Sequence, residues 1–108
     1  MHTVIQVVCK GSTSLRDAII SDTHIDQYRL FVVHAKRAHR SPGWAKIKSS
    51  KGEYGALNLT WSGPSRTLSC RVVTRNRNNP YNIVGDFIAF LLARHRKRIV
   101  TVIITQVT

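Results

Sequence analysis

Between residues 44 and 73 the sequence alternates apolar and polar side chains in three short runs that are separated by turn-forming residues. Such alternation is typical of β-strands with one buried face, because successive side chains of a strand point to opposite sides of the sheet. The segments "SKG" and "SGPS" between the runs are short enough for tight turns. The pattern therefore predicts an antiparallel meander with one covered face.

The remaining segments predict two helices and further strands around this meander. A stripe of apolar residues at spacings of three and four predicts a long helix over 80–97, with Asn79 as N-cap and Pro80 in the first turn. Ser14 is the expected N-cap of a short helix over 14–21. Runs rich in β-branched residues predict strands over 3–9, 28–36 and 99–107, and the meander strands run over 44–49, 53–61 and 66–75.

The predicted fold class is α+β, in one compact domain of residues 1–108. An antiparallel β-meander sheet of five to six strands is covered by one long helix in the C-terminal half, and a short helix lies near the N-terminus. The expected core consists of Val7, Leu30, Val32, Leu57, Leu59, Leu68, Cys70, Val72, Phe87, Ile88, Leu91 and Ile103.

The charge of the chain is strongly positive and unevenly distributed. Seventeen Lys and Arg residues face five Asp and Glu residues, and eleven of the seventeen are Arg. Residues 1–26 hold two basic and three acidic residues, whereas residues 27–108 hold fifteen basic and two acidic ones. The excess positive charges repel one another, and a polyanionic partner would relieve that repulsion. The planar guanidinium of Arg suits phosphate in particular. The composition predicts nucleic acid, DNA or RNA, as the partner. Three alternatives stay open: an acidic protein partner, an anionic membrane surface, or a basic domain whose charge reflects no particular partner.

Four groups of residues are candidates for nucleic-acid contacts. The run "RHRKR", residues 94–98, carries more positive charge than a helix end needs. A Trp beside two Lys on one strand face resembles a platform on which bases stack. The candidates are Lys36, Arg37 and Arg40; Trp44, Lys46, Lys48 and Lys51; Arg71, Arg75 and Arg77; and Arg94, Arg96, Lys97 and Arg98. If the two middle groups share a sheet, their outward residues form a continuous basic face on the side away from the long helix.

Catalysis and metal binding receive little support from the sequence. No Gly-rich phosphate loop, nucleophile elbow or zinc-protease motif occurs. Asp22, His24 and Asp26 in "DTHID" occupy alternate positions, which share one face of an extended segment and could hold a divalent ion there. The segment is more typical of a loop in which the carboxylates offset nearby basic charge. We therefore predict a non-catalytic protein with no cofactor and no metal.

One enzymatic alternative is a metal-independent ribonuclease of the toxin type. Such an enzyme needs only a base and charge stabilisation, because the RNA 2′-hydroxyl is the nucleophile. His95, Arg94, Arg96 and Tyr81 could supply these groups. A protein-interaction module that binds an acidic partner is the other alternative to nucleic-acid binding.

The sequence also predicts the oligomeric state of the protein, the redox state of its cysteines and its location in the cell. Residues 99–107 are apolar on both faces, so we predict a homodimer built around this strand. Cys9 and Cys70 lie in apolar surroundings without a disulfide framework and are expected to be reduced core thiols. No signal peptide or membrane-spanning run is evident, so we expect a cytoplasmic protein.

Overall fold

The computed structural model describes residues 2–35, 42–51, 55–74 and 80–107. The fold is α+β, with a six-stranded open antiparallel sheet and two α-helices. In chain order the elements are β1 (His2–Cys9), α1 (Leu15–Ile20), β2 (Leu30–His34), β3 (Trp44–Ser49), β4 (Ala56–Ser62), β5 (Thr67–Val73), α2 (Tyr81–Arg94) and β6 (Ile99–Val107). Short 3-10 helices, Ile25–Tyr28 and Arg96–Arg98, precede β2 and β6.

The predicted meander is confirmed, and β1 extends it in an order that the sequence did not indicate. The strands are arranged β2-β3-β4-β5-β1-β6, and every neighbouring pair is antiparallel. Strand β1 therefore lies between the last meander strand and the C-terminal strand. Among the described residues, β2 and β6 form the two edges of the sheet.

One face of the sheet contributes to a single hydrophobic cluster with both helices. Alternate strand residues such as Ile5, Ile47 and Leu59 are fully buried in this cluster. Leu15 and Ile19 of α1 belong to it, as do four residues of α2, Ile83, Phe87, Phe90 and Leu91. Of the apolar stripe predicted from the sequence, Ile83, Phe87 and Leu91 are buried and Val84 and Ile88 are half-buried, whereas Leu92 is 49% exposed. Neither helix in the described part of the chain has the length and apolarity needed to cross a membrane.

The core prediction is correct for most positions and wrong for Ile103. Val32 and Ile88 are half-buried and pack against the cluster. Ile103 is 45% exposed, because it pairs with Gln6 on the face that points away from the core. Its neighbour Ile104 is on the core side but is also exposed, since β6 is an edge strand and only β1 flanks it.

Several element boundaries differ from the sequence prediction for local reasons. Strand β2 begins at Leu30 instead of residue 28, because residues up to Tyr28 form a 3-10 helix and its C-cap, Arg29, has a left-handed conformation with φ of 60°. Helix α2 ends at Arg94 instead of residue 97, where the 3-10 turn follows. Pro80 is the N-cap of α2 and not its first helical residue. The predicted cap of α1 is confirmed, since the Asp17 amide donates to Oγ of Ser14 over 3.1 Å.

Candidate nucleic-acid interface

We call the side of the sheet that points away from the core the outer face; within the described residues it presents the side chains of Lys46, Lys48 and Arg71. Strand register aligns His34, Lys46, Asn58 and Arg71 in one row across β2, β3, β4 and β5. Lys48 lies on the same face of β3, one position further along that face. Because neighbouring strands are about 4.8 Å apart, the backbones that carry Lys46 and Arg71 are separated by about 10 Å. The predicted basic face therefore exists for Lys46, Lys48 and Arg71.

None of the described strands contains an Asp or Glu residue. Within the part of the chain that the structure describes, the acidic residues are four Asp that lie in or near the helices, and most of them form ion pairs; Glu53 lies outside the described residues. Asp17 pairs with Arg16, and the buried Asp86 pairs with Arg29. Asp22 pairs with Arg94, whereas no ion pair of Asp26 occurs among the described residues. The three cations of the outer face thus have no carboxylate on the strands around them.

A shallow cavity of about 260 Å³ lies on the outer face next to Arg71. Its lining is mainly polar and comprises Val4, Trp44, Asn58, Thr60, Ser69 and Arg71. The amide and hydroxyl groups can donate and accept hydrogen bonds, and the guanidinium can donate to an anion. This combination suits a phosphate with an attached sugar better than it suits an apolar ligand.

The aromatic residue that sequence reasoning selected on this face is mostly covered. Trp44 is 5% exposed, and its ring stacks on His34 with a centroid separation of 6.3 Å and an interplanar angle of 21°. The buried Arg16 fixes this part of the backbone, since its Nε donates to the Trp44 carbonyl over 3.1 Å and its Nη2 also donates to the Ala35 carbonyl. The indole therefore lines the cavity but offers little of its ring for stacking.

Phe31 is the exposed aromatic residue of the outer face, and we did not select it from the sequence. It lies directly opposite Lys48 on the neighbouring strand and is 43% exposed. Residues opposite each other on adjacent antiparallel strands share one face of the sheet. The alternation of β2 already placed Phe31 on the side opposite Leu30, so the signal was present in the sequence.

The run at residues 94–98 is divided between the interior and the surface. Nε of Arg94 lies 3.2 Å from Oδ2 of Asp22, and its Nη2 lies 2.9 Å from Nδ1 of His24. The His95 side chain is 9% exposed and packs edge-on against Phe90 with a centroid separation of 5.2 Å. Arg96, Lys97 and Arg98 are exposed. Arg94 is therefore part of a structural ion pair, and the last three residues carry the accessible charge.

The buried carboxylate of Asp22 organises this cluster. Burial by itself raises the pKa of Asp22, but hydrogen bonds from Arg94 and the His24 amide, with the charges of Arg94 and His95, hold that pKa below its ordinary value. Nε2 of His95 lies 2.9 Å from Oδ2 of Asp22, at an angle that does not satisfy a hydrogen bond. Burial lowers the pKa of His95, the Asp22 carboxylate opposes the shift, and Arg98 and Arg94 reinforce it.

The other candidates for nucleic-acid contacts lie outside the described residues or in turns. Lys36, Arg37, Arg40, Arg75 and Arg77 lie outside the described residues. Lys51 follows β3 and is exposed, and its amide donates to Oγ of Ser49 over 3.1 Å. Lys97 and Arg98 line a second cavity with Lys10 and do not belong to the row on the outer face.

The residues considered for catalysis or metal binding do not form a site. Tyr81 is the first residue of α2 and Arg94 the last, so the 14-residue helix separates them by about 20 Å. His95 is buried, and Arg94 is paired with Asp22. Within the described part of the chain, no three His, Cys, Asp or Glu residues are placed to hold a metal ion. Asp22 of the "DTHID" segment is instead engaged by Arg94 and His95.

Comparison of the chain with protein-family models, with curated proteins and with solved structures finds no match. Its function must therefore be inferred from the residues themselves.

Proposed function

We propose that the protein binds nucleic acid without catalysing a reaction, mainly through phosphate contacts on the outer face of the sheet. The observation that carries this proposal is the outer-face set of Lys46, Lys48 and Arg71 on strands that contain no carboxylate. Three cations with no Asp or Glu on the described strands around them repel each other, and a backbone of regularly spaced phosphates relieves that repulsion.

The polar and aromatic groups around these cations favour a nucleic acid over an acidic protein. Asn58, Thr60 and Ser69 supply hydrogen-bonding groups beside Arg71. Phe31 adds an exposed ring next to Lys48, on which an unpaired base can stack. A ring on which a base can stack beside cations that contact phosphates is the combination that single-strand binding uses. The arrangement therefore points to a single strand, with contacts mainly to the backbone.

Fluorescence anisotropy with labelled single-stranded and double-stranded oligonucleotides tests the proposal. Three phosphate contacts on a single strand predict a plot of log K against log salt with a slope of about −2 or steeper. Lys46→Ala and Arg71→Ala should each weaken binding and flatten the slope by about 0.7. Arg96→Ala removes the same charge away from this row and is the matched control. An absence of binding at low salt, or equal effects of all three substitutions, would contradict the proposal.

We further propose that the protein is a homodimer in which the β6 strands of two copies pair. Strand β6 is an edge strand of nine residues, and no charge or proline occurs in it to prevent pairing. Val100, Ile103 and Ile104 are 61%, 45% and 49% exposed, on both faces of the strand. Pairing with a second copy would cover the edge and much of this apolar surface.

Antiparallel pairing of the two β6 strands is favoured by charge. It separates the Arg96–Arg98 turns of the two copies by about 30 Å, the length of a nine-residue strand, whereas parallel pairing would bring them together. A two-fold axis perpendicular to the sheet also keeps both outer faces on the same side. One nucleic-acid strand could then contact both faces, and the second contact would gain from a high effective concentration.

A further inference from the structure

A second cavity lies where the end of β1 and the loop that follows it meet the 3-10 turn before β6. It has a volume of about 250 Å³ and is lined by Cys9, Lys10, Gly11, Thr13, Lys97 and Arg98. We infer that this cavity binds a phosphomonoester, a terminal phosphate group that carries up to two negative charges. The site is separate from the outer-face row. The phosphate could be the end of a bound nucleic acid, and this source, unlike the site itself, rests on the proposed function.

Backbone hydrogen bonds hold the basic segments of this cavity in place. The Lys10 amide donates to the Arg98 carbonyl over 2.8 Å, and the Cys9 amide donates to the Arg66 carbonyl over 2.8 Å. Nη1 of Arg66 in turn donates to the Lys10 carbonyl over 3.2 Å. Three separate chain segments are thus tied together, and each brings at least one cation.

Lys10, Lys97 and Arg98 line the cavity, Arg66 is hydrogen-bonded to the Lys10 backbone beside it, and no described Asp or Glu pairs with these four cations. Among the described residues, none of these four side chains forms an ion pair with a carboxylate, and no Asp or Glu lines the cavity. The nearby Arg94 does have such a partner, because Asp22 binds it. Cations that backbone hydrogen bonds hold together repel each other, and a bound dianion relieves that repulsion.

The volume of the cavity and the polar end groups around it suit a phosphate group. Ligand sites for drug-sized molecules occupy about 300–1,000 Å³, and this cavity is smaller. Aliphatic parts of the side chains form much of its wall, and Lys10, Lys97, Arg98 and the Thr13 hydroxyl supply the groups that can donate to a phosphate. A Cβ atom placed on Gly11 would meet no heavy atom within 4 Å, so the backbone beside the cavity is open to a ligand.

Two probes test this inference, inorganic phosphate and a pair of identical oligonucleotides that differ only in a 5′-phosphate or 5′-hydroxyl. We expect inorganic phosphate to shift the amide resonances of residues 10–13 and 97–98 at constant ionic strength. We also expect the 5′-phosphorylated oligonucleotide to bind about tenfold more tightly than its 5′-hydroxyl counterpart, as charge-assisted hydrogen bonds imply. A nucleoside 5′-monophosphate that binds as well as the phosphorylated oligonucleotide would assign the site to small phosphorylated compounds.

Substitutions that preserve the fold distinguish phosphate binding in the cavity from general attraction of phosphate to a positively charged surface. Lys97→Ala with Arg98→Ala should abolish the preference for the 5′-phosphate, whereas the neighbouring Arg96→Ala, which does not line the cavity, should preserve it. Gly11→Asp keeps all four cations but places a carboxylate beside them. It should abolish phosphate binding and raise the thermal midpoint, because it supplies the missing counter-charge.

The failure of this inference and the failure of the proposed function give different results. If inorganic phosphate shifts no resonance of residues 10–13 or 97–98 and the two oligonucleotides bind equally, the phosphate site is refuted while outer-face binding stands. If inorganic phosphate binds at these residues but neither oligonucleotide binds, the site stands and the proposed nucleic-acid binding is refuted.

Discussion

Nε2 of His95 lies 2.9 Å from Oδ2 of Asp22, so the middle of the most basic run in the chain lies against a buried carboxylate. Arg94 binds the same carboxylate from the end of α2. This contact joins the loop after α1 to the C-terminal end of α2 and sets the direction in which the following turn leaves the helix. Arg96, Lys97 and Arg98 follow at the surface, and Lys97 and Arg98 line a cavity together with Lys10.

Loss of the Asp22 charge should destabilise the fold. Asp22→Asn leaves Arg94 without its counter-charge and removes charge-assisted hydrogen bonds, each of which contributes about 1.5–3 kcal/mol when buried. Because Arg94 is partly exposed, we expect a decrease of about 2 kcal/mol in the free energy of unfolding, measured by urea denaturation. Asp26→Asn, at an exposed acid without an ion pair among the described residues, is the control and should change stability by less than about 0.5 kcal/mol. Equal effects of the two substitutions would contradict a structural role for the cluster.

The same cluster predicts a loss of stability in mild acid. The folded-state pKa of His95 is lowered, so below the unfolded-state value of about 6.5 the unfolded chain binds a proton that the folded chain does not. Stability should therefore fall as the pH decreases from about 7 to 5. The folded-state pKa of Asp22 is also lowered, so its contribution is present above an unfolded-state value of about 3.9 and is lost only in stronger acid.

Urea denaturation of the wild type and of His95→Gln between pH 7 and 5 checks this pH dependence. The substitution removes the titrating group and should make the stability less dependent on pH within this interval. A wild-type stability that is constant or increases towards pH 5 would show that His95 does not act in this way.

Phe31 should distinguish single strands from duplexes. Stacking of one base on an aromatic side chain contributes about 1–3 kcal/mol, and duplex bases are not available for it. Phe31→Ala should therefore weaken binding of a single-stranded oligonucleotide by about that amount and leave duplex binding nearly unchanged, as measured by anisotropy. Its side chain is 43% exposed, so the fold should survive, which circular dichroism can verify. Equal losses for both nucleic acids would indicate a structural effect.

A charge on the free edge of β6 should convert the dimer to a monomer. Ile103→Lys places a cation on an edge strand, a feature that opposes strand pairing, at a side chain that is already 45% exposed. Sedimentation velocity at micromolar concentration should show a dimer for the wild type and a monomer for this variant. Leu92→Lys removes a similarly exposed apolar residue from α2, is the matched control and should remain dimeric. A wild type that sediments as a monomer of 12.2 kDa would refute the dimer.

The buried and exposed sides of each strand and helix could be predicted from the sequence, because short-range periodicity determines them. Leu57, Leu59, Leu68 and Cys70 are buried as their alternation predicts, and Lys46 and Arg71 lie on the opposite face. Ser14 caps α1 as expected, because a cap depends on residues three positions apart. These features need only the geometry of a strand or a helix.

The candidate sites depended on contacts between distant segments, which only the tertiary structure decided. Insertion of β1 between β5 and β6 left β6 at an edge with one neighbouring strand, so Ile104 is exposed on the core side even though β6 has the apolar, β-branched composition of a core strand. The same insertion brought Lys10 to the Arg98 carbonyl and created a basic cavity from residues that are far apart in sequence. Asp22 bound Arg94 and left Lys97 and Arg98 without a carboxylate partner among the described residues. The sequence thus determined which side chains point inward or outward along each element, whereas the order of the strands determined which charges meet, because that order depends on the packing of the whole core.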